Sequence, residues 1–291
     1  MDAAGRADGA AWIDRTGTTR RTRAGAVMLA ANGVQTPRLM LLSASKRHPN
    51  GLGNAEDLVG RHLMLHPLAR AVGEFDAPLE TWRGITAGAL VSHHFYETDP
   101  HRAFVRGFKL QLLRSQGPAL VARGAQVGRL PWGAGHHARF ERVFGHTAAL
   151  SVCADDLPEP ENRVVLSDRL ADATGRPAAK MVYRVGANSR AILEFGLDRA
   201  EEALRAAGAH AVHRTPLVAD AGFHLMGTCR MADDPAVGVT DRWGRVHGVP
   251  GLWVIDGSLF VTAAAVNPTH TIQALALRAA DRLVATRRAG G

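Results

Sequence analysis

The apolar positions of the chain change rhythm three times. Near the start, "AAWID" and "TRRTRAGAVMLAA" flank "RTGT", whose Thr-Gly pair is turn chemistry. This pattern predicts a hairpin whose second arm runs into a short apolar strand over 26–31. "NGVQTPRLMLLSAS" comes next. Asn32-Gly33 predicts a tight turn, Pro37 suits the first turn of a helix, and Leu39, Leu41 and Leu42 form its apolar face. Strand, turn and helix together read as a piece of an α/β unit.

From about Arg70 to Pro216 the runs become short and alternating. "RAFVRGFKLQLL" and "NRVVLS" lie between Gly, Pro and Asp, which predicts strands of a mainly antiparallel region. Arg190 to Ala209 is the exception. There Ile192, Leu193, Phe195, Leu197, Ala200, Ala203 and Leu204 recur at helical spacing, with charges opposite and Gly208 near the end. After this region, "GLWVID" (251–256) reads as a strand ending in Asp256-Gly257-Ser258. A loop then leads to a last helix. Asn267 is a good N-cap for it, Pro268 fits its first position, and Ile272, Leu275, Ala276, Ala279 and Leu283 form its buried stripe. The order is α/β, antiparallel, α/β, with no internal repeat.

Composition narrows this little. The chain has 291 residues, enough for one large domain or two ordinary ones, and 46% are apolar, as in globular proteins. No run of 18 apolar residues predicts a membrane span, and no secretory signal is visible. Cys153 and Cys229 cannot form a disulfide framework, so a reducing cytoplasm is expected. The net charge of +8 raises nucleic acid as a partner. However, only Lys46, Lys109 and Lys180 are lysines, and the arginines are scattered without aromatic interleaving. Nucleic-acid binding is therefore not expected.

Four features could carry chemistry. The last helix begins in a loop after a strand, where free N–H groups and the helix dipole favour an anion. Ser258, Thr262, Asn267 and Thr269 add hydrogen-bonding side chains there. His224, in "GFHLMGTCRM", is either a satisfied core histidine or a general base, and spacing alone does not decide. "GAGHHA" (133–138) matches a dinucleotide fingerprint but follows "RLPW", not a strand, and is rejected. The pairs His93-His94 and His136-His137, and His62 with His66, suggest metal ligands. No Glu follows His62 and Pro67 breaks the pattern, so no metal is expected.

Four segments together carry a resemblance: "AVMLAANGVQTPRLMLLS", "GLGNAEDLVGRHLMLHP", "GFHLMGTCRM" and "GLWVIDGSLFVTAAAVNPTHTIQALALRAADRL". In order, they resemble blocks of the glucose–methanol–choline (GMC) oxidoreductases. The last two are the most specific. The resemblance implies an FAD-dependent enzyme oxidising alcohols. Its fold would be a doubly wound α/β FAD-binding domain with an inserted, mainly antiparallel substrate domain. Residues 1–67 and 217–291 would belong to the first and 68–216 to the second.

By the same resemblance His224 is the base for the substrate hydroxyl, and Asn267 hydrogen-bonds the substrate oxygen. The backbone of Asn267, Pro268 and Thr269 faces the flavin. Asp256 and Gly257 contact the cofactor, and Ala31, Asn32 and Thr36 lie near its adenosine half. Val261 and His270 depart from the family's usual residues. The family's N-terminal glycine-rich phosphate loop has no counterpart here, so the FAD-binding domain is expected to be incomplete and a separate N-terminal half is an expected partner. A small-molecule alcohol is the other, and the electron acceptor is left open. The alternatives are a non-catalytic remnant of such an enzyme, a lyase on the same scaffold, and a histidine-rich metal protein.

Overall fold

The computed structural model describes residues 1–84, 87–113, 117–124, 127, 130–219 and 221–288. The N-terminal hairpin forms as the turn chemistry predicts. β1 (Gly9–Ile13) pairs antiparallel with β2 (Thr19–Arg23). Asp14 closes the turn, its Oδ1 accepting from the N–H groups of Thr16 and Thr18. Next come β3 (Val27–Leu29) and helix α1 (Asn32–Leu42).

Here the structure corrects one expectation. Asn32-Gly33 is not a turn ahead of the helix but its first two residues, and Pro37 lies inside it. Asn32 combines both roles. Its φ of +68° makes the sharp entry, and its Oδ1 accepts from the N–H groups of Val34 and Gln35. Asparagine tolerates that left-handed conformation better than most residues. Pro37 has no N–H to give to the carbonyl four residues back. That carbonyl, on Gly33, instead accepts from Thr228 Oγ1 at 2.7 Å. Residue 33 must be glycine for this approach, because a Cβ there would stand 2.5 Å from the Leu225 carbonyl oxygen.

The middle of the chain builds a five-stranded antiparallel sheet. Its strands are β4 (Leu68–Glu74), β5 (Ala87–Ser92), β6 (Phe108–Leu113), β7 (Thr147–Ala154) and β10 (Ala211–Thr215), in the order β10-β4-β7-β6-β5. Only the second half of "RAFVRGFKLQLL" is strand. Ahead of it, Arg106 takes a φ of +66° and Val105 donates its N–H to Asn188. α2 (Pro118–Ala122) and α3 (His136–Val143) intervene between β6 and β7. β8 (Arg163–Ala171) and β9 (Pro177–Val182) form a separate hairpin against α1, where Arg38 pairs with Asp172 and donates to the Pro177 carbonyl.

Helix α4 (Ala187–Ala206) starts and ends three residues before the predicted span. It lays Ile192, Leu193, Leu197, Ala200 and Leu204 on one face of the sheet, against Ala69, Ala71, Phe108, Leu110 and Val152. The opposite face carries Val72 and Ala149, covered by Val121 and Val143 of α2 and α3. The period-2 alternation thus feeds two cores. Fully burying each large side chain contributes about 1.5–3 kcal/mol.

The chain then returns to its beginning. β11 (Leu252–Val254) pairs parallel with β3, Leu252 opposite Val27. A single 3₁₀ turn (Gly257–Leu259) and helix α5 (Thr269–Arg288) follow. The stripe predicted for α5 is present but shallow. Ala279 is buried, Ile272, Leu275, Ala276 and Leu283 are half-buried, and Leu277 is 68% exposed. Further along, Arg278 and Arg282 lie over the Trp243 ring. No helix among the described residues is long and apolar enough to cross a membrane.

Candidate active site

Both strands of the parallel pair end at one place. After β3 the chain enters α1, and after β11 it enters the Asp256-Gly257-Ser258 turn. Asp256 joins the two. Its Oδ2 accepts from the Thr36 hydroxyl at 2.5 Å and from the Asn32 N–H at 3.1 Å. Its Oδ1 accepts from the Ser258 N–H and hydroxyl. Thr36 Oγ1 in turn accepts from the Ala31 N–H. Of the residues assigned to the cofactor by resemblance, Thr36 and Asp256 are buried with their polar groups engaged in this clamp. Asn32 is exposed and Ala31 half-exposed at its edge.

The segment 227–231 runs beside this clamp. Gly227, Cys229 and Met231 donate their N–H groups to the carbonyls of Gly257, Ser258 and Leu259. Gly227 has a φ of +89°, and a Cβ there would stand 2.2 Å from the His62 carbonyl oxygen, so this position also requires glycine. One residue earlier, Met226 and Met64 exchange both backbone hydrogen bonds at 3.0 Å. That antiparallel register sets residue 66 opposite residue 224 on the same side. Accordingly His66 Nδ1 and His224 Nδ1 lie 2.6 Å apart, with the rings edge to face. Beneath them Met64, Met226, Phe260 and Ala263 form a small apolar plug, and Ile272 and Leu275 of α5 pack on it.

His66 is buried and His224 half-buried. Burial, followed by the neighbouring His224, pushes His66 down to about 3. Burial, followed by the Lys109 charge, lowers His224. Both rings are therefore neutral at pH 7, as a base awaiting a proton must be. Lys109 comes from the middle of the antiparallel sheet, on β6. It is 5% exposed and donates to Asn267 Oδ1, just before α5. Asp155, past the end of β7, is also buried. Burial, against the opposing charge of Arg106, raises its carboxyl to about 6.

Asn267 does not cap α5. Its Oδ1 accepts from Lys109, and its amide NH₂ has no acceptor among the described residues. Thr269, His270 and Thr271 are exposed, and no acceptor among the described residues meets their N–H groups. An α5 start with unused donors and the positive end of the helix dipole fits an acceptor-rich, electron-accepting ring such as a flavin. Pro268 is buried beneath it, and Gly257 lies behind His224's own segment. The residues present therefore fit the group.

Lys109 thus links His224, through its charge, to Asn267, through a hydrogen bond, while Thr36 and Asp256 are engaged with each other in the clamp. Sequence reading missed His66 as a neighbour of His224 and missed Lys109. A lone lysine among the apolar residues of "FKLQLL" was the available signal. The other histidines do not join them. His62 Nδ1 faces the Pro158 carbonyl, and His136 opens α3. No group of three or more potential metal ligands occurs among the described residues. Cys153 and Cys229 are buried, and burial pushes the Cys153 thiol up to about 12.

Comparison with known proteins gives a consistent likeness. Residues 158–276 match the family model described as GMC oxidoreductase. Along 282 residues the chain is 42% identical to 2-methyl-1,2-propanediol dehydrogenase of Mycolicibacterium austroafricanum, which covers 95% of this chain and 51% of that protein. It is 30% identical to the fructose dehydrogenase large subunit of Gluconobacter japonicus, covering 97% and 51%. The chain spans about half the length of the curated relatives it matches. Among solved structures, formate oxidase superposes with a TM-score of 0.66 at 16% identity, over 99% of this chain and 59% of that one. Pyridoxine 4-oxidase from Mesorbium loti gives 0.63 at 17%, over 96% and 55%.

Proposed function

Because this chain belongs to the GMC oxidoreductase family and corresponds to its C-terminal part, we propose that it forms the catalytic side of an FAD-dependent oxidoreductase acting on CH–OH donors. The observation that supports this reading is buried Lys109, which donates to Asn267 Oδ1 just before α5 and whose charge lowers His224. FAD would supply the hydride acceptor. The chain's own residues do the rest. His224 Nε2 takes the proton of the substrate hydroxyl, while the Asn267 amide N–H donates to the same oxygen and holds the carbinol carbon in place. The Lys109 charge nearby favours the oxygen as it becomes anionic.

The backbone at Asn267, Pro268 and Thr269 would hold the flavin ring, and Ala31 and Asn32 would lie toward the adenosine half. Asp256, Gly257 and Thr36 would support both. Residues 1–67 and 217–291 act as one unit in this reading, and 68–216 as an inserted substrate unit. The pairing of β3 with β11 and the all-antiparallel sheet between them support that division. The relatives' names include a diol and a sugar, so small polyhydroxylated alcohols are the first substrates to try. A non-catalytic remnant would give no reason for a lysine buried beside two neutral histidines.

The test is flavin reduction by an alcohol in the chain combined with the N-terminal half of its 2-methyl-1,2-propanediol dehydrogenase relative and supplied with FAD. Bleaching of the flavin band on adding a diol is expected, and His224→Ala should slow it by about 10²–10⁴-fold, the usual contribution of a general base. Unchanged reduction in that variant overturns the assignment of the base. Absence of any alcohol-dependent bleaching overturns the function.

A further inference from the structure

The face of the five-stranded sheet that looks away from α4 changes character from one row of residues to the next. At one end Val72, Ala149 and Leu113 stand side by side under α2 and α3. At the other end Leu68, Cys153 and Lys109 stand together, and Lys109 reaches Asn267. Between these rows lies one of four polar residues from four strands: Thr215 of β10, Arg70 of β4, Ser151 of β7 and Gln111 of β6. The opposite face, beneath α4, carries only apolar residues in these rows, Ala69, Val152 and Leu110 and then Ala71 and Leu150.

Solvent does not account for the polar row. Only Thr215, at its edge, is exposed; Arg70 and Gln111 are half-buried and Ser151 is buried. The Ser151 hydroxyl has one long bond, 3.4 Å to the Ala69 carbonyl. Arg70 has less. Its Nε is buried without a partner, and no described residue pairs with its guanidinium. Glu74, the carboxylate on the same face of β4, is two rows farther on and is taken by Arg139 and His213. Asp155 lies on the other side of the Lys109 row, past the end of β7.

A guanidinium carries five N–H donors and a charge that it does not lose. Taking it partly out of water with no partner is costly, and an anion offsets that cost. A carboxylate suits it well, because its two oxygens meet the planar fork side by side. One cation flanked by a hydroxyl and an amide matches the single charge of a carboxylate better than the double charge of a phosphate. Same-face neighbours lie about 7 Å apart along a strand and adjacent strands about 4.8 Å apart, so Arg70 stands roughly 12 Å from Lys109. Both side chains rise from the same side of the sheet. A molecule whose hydroxyl meets Asn267 beside Lys109 therefore brings atoms several bonds farther along to Arg70.

We propose that Arg70, flanked by Ser151 and Gln111, binds the far end of the substrate, and that this end is a carboxylate. The alcohols that the site favours are then hydroxy acids whose hydroxyl and carboxylate are separated by a chain of several carbons. The inference rests on the proposed alcohol oxidation for the reacting end and on the sheet register for the other. A neutral diol meets the same groups at its hydroxyl but leaves Arg70 unpaired.

The experiment compares ω-hydroxy carboxylates with α,ω-diols of the same chain length, in the same combined protein supplied with FAD. kcat/KM should be about 10- to 100-fold higher for the carboxylate, the usual worth of a hydrogen bond to a charged group, with the difference carried by KM. Arg70→Met keeps the apolar stem and should abolish that preference, and Arg70→Lys should restore part of it. No preference in the parent, or the parent's preference in Arg70→Met, overturns the proposal. A second measurement needs no turnover. A straight-chain carboxylate without a hydroxyl, titrated by calorimetry, should bind the parent about 10-fold or more tightly than the neutral amide of the same length. Equal binding of the two overturns the proposal without recourse to any variant. If no alcohol is oxidised, the functional reading fails while this titration still decides the carboxylate site.

Discussion

Two buried polar clusters lie within a few residues of each other in this fold, and they are built on opposite principles. Around Asp256 every carboxylate oxygen is used. Four donors from Asn32, Thr36 and Ser258 converge on it, and Thr36 passes the arrangement on to Ala31. Around His224 the opposite holds. His66 Nε2 and Asp155 Oδ1 are buried without a hydrogen-bond partner among the described residues, and the Asn267 amide and the start of α5 keep free donors. A native fold rarely leaves buried polar atoms unpaired, so each exception needs a reason. The saturated cluster holds two ends of the chain together. In the proposed function, the unsaturated one keeps its donors and acceptors for cofactor and substrate.

The largest expected effect comes from breaking the saturated cluster. Asp256→Ala strands the Thr36 and Ser258 hydroxyls and the Asn32 N–H in a buried place, and should cost about 3 kcal/mol of stability, read as a lower midpoint in chemical denaturation. A variant as stable as the parent would show that the clamp is incidental.

Next is the acid response of the unsaturated cluster. The folded His66 titrates near 3, below its ordinary 6.5. The unfolded chain therefore binds this proton first. The contribution is fully present above pH 6.5 and is lost as pH falls toward 3, amounting to about 2 kcal/mol by pH 5. His66→Leu should flatten that part of the stability-versus-pH curve, while Asp256→Ala should leave its shape alone.

A smaller effect is expected at Lys109. Lys109→Met frees the Asn267 amide to flip and removes a charge beside the reacting oxygen, so kcat/KM for an alcohol should fall about 10-fold with stability little changed. The smallest is the control. Leu277 is two-thirds exposed on α5, and Leu277→Gln should shift stability by no more than about 0.5 kcal/mol. A large loss there would show that α5 is covered in solution.

Much of this architecture was legible in the sequence because its causes are local. The Thr-Gly hairpin, the stripe of α4 and the Asp-Gly-Ser turn after β11 are each written within a dozen residues. The helix start at Asn32 was misplaced because one asparagine makes the turn and caps the helix at once. Resemblance brought His224 and Asn267 forward, since spacing alone left His224 undecided. His66 was not legible. Its place beside His224 comes from an antiparallel register with a segment 158 residues away, and no local pattern encodes a register between distant segments. Lys109 escaped for the same reason, its partner Asn267 also lying 158 residues off.

Pro37 gives the helix α1 a carbonyl with no helical partner, and Thr228 takes it from 195 residues away. That bond, the histidine pair and the Asp256 clamp all close loops of more than 150 residues. Closure of long loops comes late, after hairpins such as β1–β2 and β8–β9 have formed from near neighbours. The ladder of β4 with β10 is itself a long closure, Glu74 opposite Ala211, so the sheet and the site are completed together. A chain caught partway would hold its hairpins and none of its chemistry.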